Sequence, residues 1–167
     1  MTANKLLFDK NQSNVLLKIR RTVNKYLKTN IQSSKGFLTV VDDQIQDLQL
    51  EFSLDIIPNN FNFSTSERPS RISFKSISYQ KGNQNLSFIK GYLSIDNIIK
   101  IVELEVSLVF TDDANEYENA FIEITGTIDR KDFGWTLQEY KNWKDFPLNQ
   151  KINLVANLDF TNFTEYK

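Results

Sequence analysis

Neither cysteine nor histidine occurs in the 167 residues. The first absence excludes a disulfide framework, a thiolate nucleophile, a thiol redox switch and iron–sulfur ligation. The second removes the usual general base near neutral pH, the Ser-His-Asp triad and the imidazole metal ligand. Chemistry would have to run on carboxylates, lysine, tyrosine or an outside cofactor, which favours a binding protein over an enzyme. No phosphate-cradling glycine pattern and no nucleophile elbow is present either.

Charge of one sign is equally lacking. The chain carries 20 Lys+Arg against 21 Asp+Glu, a net charge of −1. Its densest basic stretch, Lys18-Ile19-Arg20-Arg21 with Lys25 and Lys28, reads as a solvated face rather than a nucleic-acid site. No uncharged stretch is long enough to span a membrane. Leu6 to Phe8 is the only apolar run near the start, far short of a signal peptide. The expectation is a cytoplasmic protein, or a periplasmic one if an export signal has been removed. Only five glycines and three prolines interrupt the chain, so its elements should be long.

What is present is alternation. Leu48, Leu50, Phe52, Leu54 and Ile56 alternate with Gln49, Glu51, Ser53 and Asp55. The same period of two runs through Leu104 to Phe110, Ile122 to Ile128 and Ile152 to Phe160. Each segment puts one side-chain set on an apolar face and the other on a polar face, as half-buried antiparallel strands do. Weaker strands are read at 14–20, 36–41, 71–79 and 86–95. Polar turns at Asp42-Asp43, Lys81-Gly82-Asn83 and Asp112-Asp113-Ala114-Asn115 separate several of them. Eight long strands in one domain, residues 1–167, predict an all-β, eight-stranded, antiparallel up-and-down barrel, with a two-layer sandwich as the alternative.

One or two short helical segments are expected beside it. Residues 21–34, with Val23, Leu27 and Ile31 spaced by four, read as a helical turn or an irregular excursion, and 139–147, with Tyr140, Trp143 and Phe146 spaced by three ahead of Pro147, as a short helix near a barrel mouth.

Several motifs resemble the YceI-like family. Arg68-Pro69-Ser70-Arg71-Ile72-Ser73-Phe74-Lys75-Ser76 is similar to its "Pro, then Ile-x-Phe-x-Ser" strand. Gly91-Tyr92-Leu93-Ser94-Ile95-Asp96-Asn97, leading into Val102 to Val106, resembles its "Gly-x-Leu-x-Ile-x-Gly" hairpin. Ile128-Asp129-Arg130-Lys131-Asp132-Phe133-Gly134 resembles its "Ile-x-Arg-x-Asp-Phe-Gly" element. Pro147 to Ile152 is similar to the lead into the final strand. The chain departs from the family pattern where relatives carry a His after the first strand, and in a shortened segment before the Ile72-x-Phe74 strand. The resemblance implies a lipocalin-like barrel that binds a polyisoprenoid or other long-chain lipid.

On that reading the apolar faces line a tunnel, with Leu50, Phe52, Leu54, Phe74, Phe88, Leu104, Val106, Leu108, Ile122 and Ile124 as candidate lining residues. Each buried methylene of a ligand would contribute about 0.8 kcal/mol. Arg20, Arg130, Trp135 and Trp143 are the candidates at the mouth, where an arginine could hold a polar headgroup and an aromatic could cap the opening. The plainer alternatives are an Arg130–Asp132 ion pair and an aromatic plug. The alternative function is a barrel filled by its own side chains, a non-catalytic interaction or stress-related scaffold without ligand. A carbohydrate-binding or carboxylate-dependent hydrolase ranks last, since the paired aspartates fall where turns are expected. No cofactor beyond a bound isoprenoid or fatty-acid-like lipid is expected, and no metal. The expected partners are a hydrophobic small molecule or lipid and, as a further option, a second copy in a homodimer.

Overall fold

The computed structural model describes residues 4–19, 26–56, 71–82, 86–95, 97–112, 119–129, 132 and 151–162. Eight strands follow one another: β1 (Asn4–Ile19), β2 (Tyr26–Val41), β3 (Gln44–Ile56), β4 (Arg71–Lys81), β5 (Ser87–Ile95), β6 (Ile98–Asp112), β7 (Asn119–Asp129) and β8 (Lys151–Thr161). Every neighbour in sequence pairs antiparallel, and β1 pairs with β8 to close a barrel. Closure leaves no strand edge exposed, which matters for strands this long. The sandwich alternative is thereby excluded.

The four strongly alternating segments lie within β3, β6, β7 and β8, where Leu48 to Leu54, Leu104, Val106 and the apolar sets of β7 and β8 face inward, and a bulge after Leu108 interrupts the alternation of β6. Ile152, Leu154, Ala156, Leu158 and Phe160 of β8 are all buried, as are Ile122, Ile124 and Ile128 of β7. One expectation is corrected. Residues 26–34, read as part of a helical turn, belong to β2, where Leu27 pairs with Leu17 and Ile31 with Leu54. A spacing of four is also a multiple of two, so the same pattern suits a strand as well as a helix. The other helical candidate, 139–147, lies outside the described residues. Among the described residues there is no α-helix.

The barrel has two unlike ends. At the near end β2 turns into β3 through Asp42 and Asp43, with φ of 51° and 61°. Two successive left-handed residues form the primed two-residue turn that matches strand twist, and aspartate tolerates that geometry. The β4–β5 turn sits at the same end, held by the Gly82 N–H donating to the Leu86 carbonyl at 2.8 Å. At the far end β1, β3, β5 and β7 run out, and segments 20–25, 57–70 and 130–150 begin there.

The closing seam between β1 and β8 is irregular. Asp9 pairs with Asp159 and Asn14 with Asn157, so three extra residues bulge from β1 between them. This shifts the inward parity from Leu6 and Phe8 to Val15 and Leu17. The Ser13 hydroxyl ties the bulge down. It donates to the Asp9 carbonyl at 2.7 Å and accepts from the Asp159 N–H at 2.8 Å. Ser13→Ala should therefore cost about 1–3 kcal/mol, the price of leaving a ladder N–H without its acceptor, measured by urea denaturation.

Candidate functional site

The inner surface is apolar along almost its whole length. Leu54, Ile72, Ile95, Ile128 and Ile152 are buried towards the far end, and Leu6, Phe8, Val40, Ile45 and Phe160 towards the near end. Between them the Phe52 and Phe74 rings, paired across β3 and β4, meet at 5.8 Å and 31°. A second aromatic pair, Phe8 and Phe160, crosses the seam at 5.3 Å.

Eight of the ten candidate lining residues are buried: Leu50, Phe52, Leu54, Phe74, Leu104, Val106, Ile122 and Ile124. Leu108 is half-buried and packs against this core at the near end. Phe88 differs. In β5 it is Ser87, Ile89, Gly91, Leu93 and Ile95 that are buried, so Phe88 belongs to the outward set and lies half-buried near Gly82. Both sets of this strand contain large apolar residues, and packing decides between them. Gly91 must face inward because the Phe74 ring occupies the space its side chain would need.

Polar groups gather at the near end around a cavity of about 260 Å³. Its walls include Gln44 and Ile45 of β3, Tyr79 and Lys81 of β4, Ser87 of β5 and Leu108 of β6. Ser87 is buried, and its hydroxyl donates to the Val106 carbonyl at 3.1 Å. Burial, aided by the charge of Asp47, pushes the Tyr79 phenol above its ordinary value, while the neighbouring Ser87 hydroxyl partly offsets this. The Lys81 ammonium donates to Gln46 Oε1 at 2.7 Å. The arrangement offers neutral hydroxyls, the Lys81 cation and the Asp43 carboxylate beside an apolar floor, suited to the polar end of an amphiphile.

Sequence reasoning missed Tyr79, Lys81 and Ser87. A bulge between Ser76 and Ser78 brings Tyr79 into register with Ile89, and nothing in the local pattern announces it. The mouth candidates Arg20, Arg130, Trp135 and Trp143 lie outside the described residues. Arg20 follows directly on β1 and Arg130 on β7, both of which run out at the far end. Among the described residues no group of three or more acidic, cysteine or histidine side chains could hold a metal ion.

A closed antiparallel barrel with an apolar interior and a polar rim defines the lipocalin-like class of architecture. The YceI-like domain profile matches residues 7–160, and the chain belongs to that family. Solved structures show the same fold. BcnA of Burkholderia cenocepacia is 13% identical, with 91% of this chain and 98% of that chain aligned at a TM-score of 0.63. The YceI protein of Campylobacter jejuni is 15% identical, covering 88% of this chain and 91% of that one at a TM-score of 0.57. A mutant of the latter has been crystallised with a monobromobimane guest. None of the curated proteins matches the chain.

The inward glycines set a packing limit that can be measured. At Gly91 an added Cβ meets the Lys75 carbonyl oxygen at 2.5 Å as well as the Phe74 ring, whereas at Gly126 it meets only the Leu104 side chain. A leucine methyl can move and a backbone carbonyl cannot. Gly91→Ala should destabilise by about 1–3 kcal/mol and Gly126→Ala by less, compared in one denaturation series.

Proposed function

We propose that the protein binds a long-chain apolar small molecule, an isoprenoid or fatty amphiphile, with its chain inside the barrel and its polar end at a barrel mouth. The observation that carries this reading is membership of the YceI-like family together with an inner surface built almost entirely of aliphatic and aromatic side chains. The polar lining of the near-end cavity adds a place for the headgroup, at Tyr79, Lys81 and Ser87. The role is sequestration or transport. The chain has no histidine or cysteine to run acyl or redox chemistry, so binding is the activity assigned.

A second reading has its own observation. Phe74 fills the space over Gly91, and Leu104 fills that at Gly126, so two inward positions are used for packing rather than left open. A barrel filled along its whole length would be a scaffold without ligand.

Native mass spectrometry of detergent-free protein separates the two. Ligand binding predicts a co-purified hydrophobic mass at up to one per chain. It also predicts saturable rebinding of isoprenoid alcohols or fatty acids by delipidated protein, weakened in Tyr79→Phe/Ser87→Ala. Protein that carries no such mass and binds no member of the panel supports the filled scaffold and overturns the proposal.

A further inference from the structure

The seam between β1 and β8 carries a group of oxygens that the binding function does not use. On its outer face the register sets Asp9 of β1 and Phe121 of β7 against Asp159, and Leu7 and Asn119 against Thr161. Asp159 and Thr161 are two apart on β8 and so share this face. Outward-facing residues are ordinarily wet, yet Asp159 is 0% exposed. Neither of its carboxylate oxygens has a hydrogen-bond partner in good geometry, although the Asn119 amide and the Phe160 N–H lie close, and Thr161 Oγ1 is likewise buried without one.

Such a group is costly as it stands. Two carboxylates directly opposite on paired strands repel, and a buried unpaired carboxylate loses its hydration. Burial first, and then the Asp9 charge, raise the Asp159 carboxyl to about 6, with the Asn119 amide and the Phe160 N–H only partly opposing them. No described lysine on the three strands offsets the charge. The Lys5 ammonium sits over the Phe37 ring at 4.3 Å, and Lys10 donates to the Gln32 carbonyl at 3.3 Å. Lys18 and Lys151 lie at the far end, near the pairs Lys18–Asn153 and Asp129–Lys151.

We propose that Asp9, Asp159, Thr161 and Asn119 form a binding site for a hard divalent cation, Ca²⁺, on the outside of the seam. The two carboxylates match its charge, and the threonine hydroxyl and the asparagine amide oxygen add neutral donors. An all-oxygen set completed by water is the coordination Ca²⁺ accepts with loose geometry. Asp9 is fixed at the edge of the β1 bulge, where its Oδ1 accepts from the Asn11 N–H at 3.0 Å. The bound ion would bridge β1, β7 and β8 where the β1–β8 ladder is interrupted. Its role is to clamp barrel closure, separately from any ligand inside.

The test uses the full chain, stripped with chelator, at pH 7.5 and constant ionic strength. Equilibrium dialysis should show one Ca²⁺ per chain, and the melting temperature should rise saturably with Ca²⁺ but not with matched KCl. In Asp9→Asn the affinity should fall by roughly tenfold or more. Asp159→Asn should melt above the stripped wild-type protein and no longer respond to Ca²⁺. Should Asp159→Asn not fold, the Asp9→Asn titration decides alone. No stoichiometric binding, a shift that KCl reproduces, or a response that survives in Asp9→Asn would each overturn the site.

Discussion

Closure of the sheet between its first and last strands is the constraint on which the rest depends. Seven hairpin pairings come from chain neighbours, but β1 and β8 must find each other across the whole sequence. Without that pairing the barrel has two long edges and the apolar set of eight strands has no inside. With it, one alternation of side chains becomes one enclosed apolar surface. The seam is also where the ladder is least regular, since the β1 bulge at 10–13 interrupts it. Stability of the closure and availability of the interior are therefore linked physically, though they involve opposite faces of the same two strands.

The interior divides by chemistry along the barrel axis. Its middle is tightly packed, with Phe52 against Phe74 and Phe74 against Gly91. The near end is looser and more polar, with the cavity beside Tyr79 and Ser87 opening onto Ile45 and Leu108. A ligand chain entering there would meet apolar side chains at once and leave its polar end among hydroxyls. The depth such a chain could reach would be set by how far the aromatic side chains yield, because a close-packed interior gives way only by rotamer changes.

Much of this was legible in the sequence wherever one strand face is apolar and the other polar. In β3, in β7 and in β6 ahead of the bulge at Leu108 the alternation is unambiguous, and Leu50, Leu104 and Ile124 fall on the inner side as their spacing predicts. It failed where pattern alone is degenerate. In β5 both sets contain large apolar residues, so the pattern alone admits Phe88 inward, whereas the need for Gly91 beneath Phe74 turns it outward. In β2 a spacing of four suited a helix as well as a strand. In β4 a bulge changes the parity and brings Tyr79 to the cavity, and in β8 Asp159 is buried on a face that reads as solvated. Each of these depends on contacts between strands distant in sequence, which no local window contains.

The central claim is that the barrel interior receives a ligand chain. A crystal structure of the protein saturated with a fatty acid or isoprenoid alcohol tests it most directly. The account predicts continuous density for the chain inside the barrel, in contact with the inward leucines and isoleucines, with the polar end at a mouth. Density confined to the outer surface, with the interior occupied throughout by the protein's own side chains, would contradict it.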